Sequence, residues 1–373
     1  MTSVTSVPTE QDARSPSRAG LALATWRQHR TAIAGLLIVF AAVAIGLIVT
    51  GIQTHRAYAI YNQHHCIVTR LPMCHQIVIG PMNASSWALG KITGAAVLPV
   101  LAGIFIGAPL MAREFETGAF RFSLAQGVSI RRQLACKLLV LGTVLAVASA
   151  AVGALIMWDV SPYEHIAVGR YSGLSYWWPA YFNNTVLMLP VWVLLDFGLG
   201  VLAGVVIKRL LPAVAAALVA AAAAAAGTTG YATSSPTGLY SNLLRVSAMT
   251  MRDGPSPFGH TTYNASWPQA VIGTASYPPY PPGSVQVTSW FAGPGGRPLS
   301  PKAELQLFNS IPDSVFRSLA RTRAWVGARH ITAWISYQPA DRYWIFQSVL
   351  AAILLAVAAA AGFAAVWLAG RRR

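Results

Sequence analysis

A short polar island, Gly107 to Lys137, lies between two long apolar stretches and gathers two of the chain's eleven carboxylates, Glu114 and Glu116, beside five basic residues, Arg113, Arg121, Arg131, Arg132 and Lys137. The acids follow the apolar stretch directly, Gly118 closes that run, and Phe120 and Phe122 then alternate with charges. Such a pattern suits a short interfacial helix with one face resting in lipid. Its other face would present Glu114, Glu116 and Arg121 to a soluble partner, so the chemistry on offer is recognition by charge. The plainer reading is that the charges anchor two helix ends to lipid headgroups.

Other reactive side chains are sparse. Asp196 is the only carboxylate deep in an apolar segment, where an acid is costly and points to a substrate-cation contact or a proton site on a substrate path. The alternative is a hydrogen bond that packs one helix against another. Cys66 and Cys74 share a short loop with His64, His65 and His75. In an oxidising exterior they read as a disulfide; a zinc site, whose spacing fits no standard pattern, and two free thiols are the other readings. Cys136 reads as a small buried apolar residue. Seven of the eight histidines, at 55, 64, 65, 75, 165, 260 and 330, cluster outside without an ordered Ser or Asp motif, which speaks against an enzyme. A phosphate cradle of the GxxxxGK[ST] form is also missing: Gly90, Lys91 and Ile92 lack the upstream Gly and the hydroxyl residue. This chain is therefore expected to hold no cofactor of its own. Any ATP that drives it, with its Mg, is bound by another subunit.

The elements that must position these residues are membrane helices. Of 373 residues 55% are apolar and 10% charged, against about a quarter charged in a soluble domain. The apolar residues come in continuous blocks of the length that crosses a hydrocarbon core of roughly 30 Å, and not in the alternation of a strand barrel. Six segments qualify, about 31–52, 92–112, 135–158, 183–207, 210–231 and 345–369, so the expected fold class is an all-α membrane protein with six transmembrane helices. The net charge of +16 does not imply nucleic-acid binding, because the basic residues cap apolar segments or scatter through one long loop. Membrane lipid is the expected partner of those charges.

Charge placement orients the spans. Arg14, Arg18, Arg27 and Arg30, then the island, then Lys208 and Arg209, and finally Arg371, Arg372 and Arg373 all fall on one side of a six-span arrangement. The positive-inside rule makes that side cytoplasmic, with both termini inside. The expected organisation is a disordered cytoplasmic tail over 1–30, helices one to five over 31–231 with a cytoplasmic coupling segment at 113–134, an extracytoplasmic loop or cap over 232–344, and the sixth helix with a basic C-terminus over 345–373. In the large loop the first half, rich in Pro, Gly, Ser and Tyr, reads as irregular. The second half reads as helix, capped at Ser300 and Pro301, with a further helical stretch from Asp313 to about Arg329.

The island resembles the corresponding part of ABC-2 type permease subunits, the membrane half of one class of ATP-binding-cassette exporters. In that family the second span ends in a Gly-Ala-Pro-Leu-like turn followed by Arg-Glu-x-Glu-x-Gly, and a Ser-Arg pair and a Lys begin the next span. The matching positions here are Gly107 to Leu110, Arg113, Glu114, Glu116, Gly118, Ser129, Arg131 and Lys137. A second stretch, Tyr337, Pro339, Arg342, Tyr343, Trp344, Phe346 and Gln347, resembles one found before the last span of actinobacterial-type members. The resemblance implies a permease in the bacterial cell membrane, working with a cytoplasmic ABC ATPase subunit and a second permease copy or paralogue. It also implies ATPase coupling through Arg113, Glu114, Glu116, Gly118, Arg121, Arg131 and Lys137. The contrasting readings are a membrane-anchored sensor or scaffold that uses the 232–344 loop for ligand or partner binding, and a polytopic enzyme with its site in the outer loops.

Overall fold

A computed structural model describes residues 18–64, 95–118, 129–164, 177, 179–228, 249–252, 285–294, 297–316, 321, 324–325, 327–338 and 340–371. Among the described residues six helices are long and apolar enough to cross a membrane: α1 (Arg18–Gln63, of which Arg30–Gln63 qualifies), α2 (Val97–Thr117), α3 (Ile130–Val160), α4 (Met188–Ile207), α5 (Leu210–Thr228) and α7 (Tyr343–Arg371). The chain is thus a multi-pass helical membrane protein. It divides into two units, one holding Met1–Gly173, Ala180–Ala226 and Gln347–Arg373, the other Leu174–Pro179 and Gly227–Phe346.

Helix ends follow local chemistry more closely than hydropathy does. α3 starts at Ile130, five residues before the apolar run, because Ser129 sits in extended backbone and its hydroxyl accepts the Arg132 N–H. α4 starts at Met188 and not at 183, since Asn183 to Leu187 form turns and the Thr185 hydroxyl accepts the Met188 N–H. The segment Gly107 to Leu110 does not end the second span. It continues as helix through a π turn, Gly103–Gly107, into Ala108–Thr117. Pro109 explains the widened turn: it has no N–H to donate and its ring would meet the carbonyl four residues back, that of Phe105.

The spans of the first unit pack through small residues. A Cβ on Gly103 would lie 2.8 Å from the Asp196 carbonyl oxygen, one on Gly107 2.6 Å from that of Phe197, and one on Gly204 2.5 Å from that of Ala108. A Cβ on Gly200 would strike the Gly103 carbonyl. The backbones of α2 and α4 therefore touch, as small residues at four-residue spacing allow. α5 lays Ala213 and Ala217 against Ala108 and Ala112, while its Leu211 and Val219 point outward. α1 packs on α3, where the Trp158 ring fills the space that a side chain at Gly51 would need.

The second unit differs from the sequence expectation. It contains a three-stranded antiparallel sheet in the order β1-β3-β2, made of β1 (Met249–Arg252), β2 (Val285–Ala292) and β3 (Thr332–Gln338). β2 shifts register between Gln286 and Thr288 against β3. Both long strands are rich in β-branched and aromatic residues, a signal masked by the Pro- and Gly-rich surroundings. The expected helix after Ser300 is present as α6 (Pro301–Asn309), with the Ala303 N–H donating to the Ser300 hydroxyl. Asp313–Phe316 is helical as well, and the stretch expected to follow it lies partly outside the described residues.

The α2–α4 crossing yields a test. Gly200→Ala forces two backbones apart, and the overpacking is expected to cost about 1–3 kcal/mol, read as a lower melting temperature of the detergent-solubilised chain. Gly35→Ala, where nothing lies within 4 Å, is expected to leave that temperature unchanged or slightly higher.

Candidate functional site

The polar island is built on the last turns of α2 and the first turns of α3. α2 ends at Gly118 in the left-handed conformation (φ 72°), which closes a helix without the Cβ penalty that other residues meet there. The Thr117 hydroxyl donates back to the Arg113 carbonyl at 2.7 Å. Because α2 stays helical to Thr117, Arg113, Glu114 and Glu116 belong to the end of a span and not to a separate interfacial helix. Residues 119–128, including Arg121, lie outside the described residues.

Helical spacing sends the two acids different ways. Glu116 is exposed, and its Oε2 accepts the Leu210 N–H at 3.2 Å, at the first residue of α5. A carboxylate there satisfies an orphan donor and complements the positive end of the helix. Beside it, Lys208 closes α4 in the left-handed conformation and holds its ammonium 5.7 Å from the centre of the Phe115 ring. Glu114 turns inward. It is 7% exposed and forms an ion pair with Lys137, itself 1% exposed.

This corrects the sequence reading in one respect: Glu114 does not present its charge to a soluble partner. Lys137 is likewise no boundary residue, because the Ser129 cap starts α3 about two turns before it and carries the ammonium below the surface. Two buried charges of opposite sign at contact distance neutralise each other, whereas either alone would be strongly disfavoured. The described site residues thus separate into a buried pair (Glu114, Lys137), an exposed cap (Glu116), an exposed cation (Arg113), a helix terminator (Gly118) and Arg131. The Arg131 stem lies against Gly370 near the end of α7.

A family model described as "ABC-2 membrane transporter related" matches residues 37–232, just over half of the chain. The chain belongs to that family. No curated protein and no solved structure matches it. As an ABC-2 permease the protein is a membrane transport component and not itself catalytic, of a family that normally works with a cytoplasmic ATPase. The matched stretch of the permease contains the α2–α3 junction and stops short of β1–β3 and α7.

Three polar positions in the spans stand out besides the island. Asp196 is buried on α4, and its Oδ1 has no hydrogen-bond partner among the described residues. The apolar segment read from the sequence stops at 158, one residue short of Asp159, but α3 runs on to Val160 and buries it. Its carboxylate faces the hydroxyls of Thr50 and Thr54 on α1, each at 3.4 Å, and the four-residue spacing of those threonines was the signal that could have revealed it. Next to it, His55 stacks on Trp158 with ring centres 4.9 Å apart and Nε2 3.0 Å from the Trp158 carbonyl, to which it donates. Gln347 is fully buried; its Nε2 donates to the Phe182 carbonyl at 3.0 Å and its Oε1 accepts the Thr185 hydroxyl at 3.1 Å. That ties α7 to the turn that begins α4, and gives the last residue of the second sequence motif a packing role. The Cys66–Cys74 reading lies outside the described residues.

The buried pair predicts a double-mutant cycle. Glu114→Gln or Lys137→Met alone strands one charge and is expected to cost about 3–5 kcal/mol. The combined Glu114→Gln/Lys137→Met variant is expected to recover most of that loss in the melting temperature. Strictly additive losses would show that the two side chains do not act as a pair.

Proposed function

We propose that this ABC-2 permease is the membrane subunit of an exporter, forming the translocation path for its substrate and driven by a separate cytoplasmic ATPase that binds the ATP and Mg. A second copy or a paralogue completes the path. The reading places both termini and the 113–134 segment in the cytoplasm, where the basic residues of the short connections accumulate, and places 232–344 outside.

One observation carries the coupling part of this reading: the α2–α3 junction is tied to more than its own two helices. Glu114–Lys137 links α2 to α3, Glu116 caps α5, and Arg131 rests on α7. A displacement of the junction by an ATPase closing on it would therefore be felt by four spans together. Coupling of this kind requires that the docking contacts differ between two states of the ATPase. In this reading Glu116 and Arg121 meet the ATPase, Arg113 holds the end of α2 beside them at headgroup level, Gly118 sets the direction in which the junction leaves α2, and Glu114, Lys137 and Arg131 transmit the displacement. Asp196 would face the substrate path, where its unpartnered oxygen would suit a cationic group or a proton.

The test is co-purification of the permease with its ATPase. Arg121→Glu, which spares the Glu116 cap of α5 and Arg113, is expected to reduce both recovery of the ATPase and transport while the permease remains folded. Full recovery and full transport in that variant would sink the coupling assignment. Survival of a separate ligand-binding activity of the 232–344 loop would then favour the sensor.

A further inference from the structure

A cleft of about 200 Å³ opens beside the island between α1 at Ala32 and the second half of α2, lined by Ala32, Phe105, Ile106, Pro109, Leu110, Arg113 and Glu114. The α2 residues form one continuous face, recurring at four-residue spacing from Phe105 to Arg113. That face spans about 12 Å along the axis at 1.5 Å per residue. Its inner end is apolar, and Phe105 is 62% exposed, so this wall borders the hydrocarbon region. Its outer end is charged.

The charge there has a definite sign. The Glu114 carboxylate is committed to Lys137, and that pair is neutral as a whole. Arg113 is exposed, and among the described residues no hydrogen bond or ion pair engages its guanidinium. The cleft therefore offers an apolar slot with the exposed Arg113 guanidinium at its mouth. Its volume is below the roughly 300–1,000 Å³ that encloses a drug-sized molecule, yet an extended chain segment lying along it needs no enclosure.

We propose that this cleft binds an anionic phospholipid, with the phosphate on the Arg113 guanidinium and the upper part of one acyl chain along Phe105, Ile106 and Leu110. A guanidinium holds a phosphate by two parallel charge-assisted hydrogen bonds, and basic pockets between membrane helices are suited to acidic headgroups. Pro109 and the π turn before it contribute shape, since they widen α2 at the level where the chain would lie. A lipid seated here would contact the same turn of α2 that carries Glu114, so lipid composition would act on the buried pair from its open side.

The experiment uses the full chain purified in detergent and equilibrated with equimolar phosphatidylglycerol and phosphatidylcholine, read by native mass spectrometry. The expected result is preferential retention of one phosphatidylglycerol per chain. Arg113→Gln is expected to weaken that retention roughly tenfold, in line with loss of one charge-assisted phosphate contact, and Arg113→Lys to restore part of it. Leu110→Trp, which fills the slot and leaves the charge in place, is expected to abolish it. Equal retention of the two lipids by the unaltered chain would overturn the proposal without recourse to any variant. So would retention of phosphatidylglycerol that neither Arg113→Gln nor Leu110→Trp changes.

Discussion

Lys137 and Glu114 sit on consecutive spans at a depth where neither could remain alone. A lone ammonium or carboxylate in that setting would draw in water, change its protonation or pull its helix toward the surface. As a pair they remain, and in doing so they fix the rotation of α3 about its axis and its height relative to α2. Much else follows from that registration. With α2 held, its small-residue face meets α4 and its outer end delivers Glu116 to the first N–H of α5. With α3 held, its far end brings Trp158 and Asp159 against α1. An ion pair of this kind is weak evidence of stability gained; its worth is in the alternatives it forbids.

The crossing of α2 and α4 uses the opposite strategy. There the contacts are between backbones, with Gly103, Gly107, Gly200 and Gly204 removing every side chain that would keep the helices apart. Such a contact is strong through close packing and specific through shape, since one added methyl group is felt directly by a carbonyl on the other helix. The π turn lies within it. Pro109 disrupts the regular hydrogen-bond ladder of α2 at the point where that helix passes from the glycine crossing to the charged junction, so the two halves of α2 need not move as one rod.

The six spans were legible in the sequence because about twenty continuous apolar residues have few other uses. Their ends were not, because caps such as Ser129 and Thr185 act through one hydroxyl that a hydropathy average cannot see. The island was legible as a charged junction, but the direction of each charge was hidden. Glu114 and Glu116 are two residues apart, and only a helix that continues to Thr117 separates them by enough rotation to send one inward and the other to α5. Asp159 escaped notice for a similar reason: the apolar run ended one residue before it, and the two threonines that receive it lie more than a hundred positions earlier. The sheet of the second unit depends on strands far apart in the chain, paired across segments whose composition reads as loop.

α5 differs from its neighbours in having almost no relief. Its buried side is a row of methyl groups, Ala213, Ala217 and Ala221, and methyl groups mesh with nothing as leucines and phenylalanines do. A helix of this texture packs closely but has no protruding side chain on its buried side to key it to one height, so its position leans on how it is fastened at its ends. One of those fastenings is the single carboxylate of Glu116, contributed by a different helix. The exposed acid of the polar junction and the clasp at the start of α5 are therefore the same side chain.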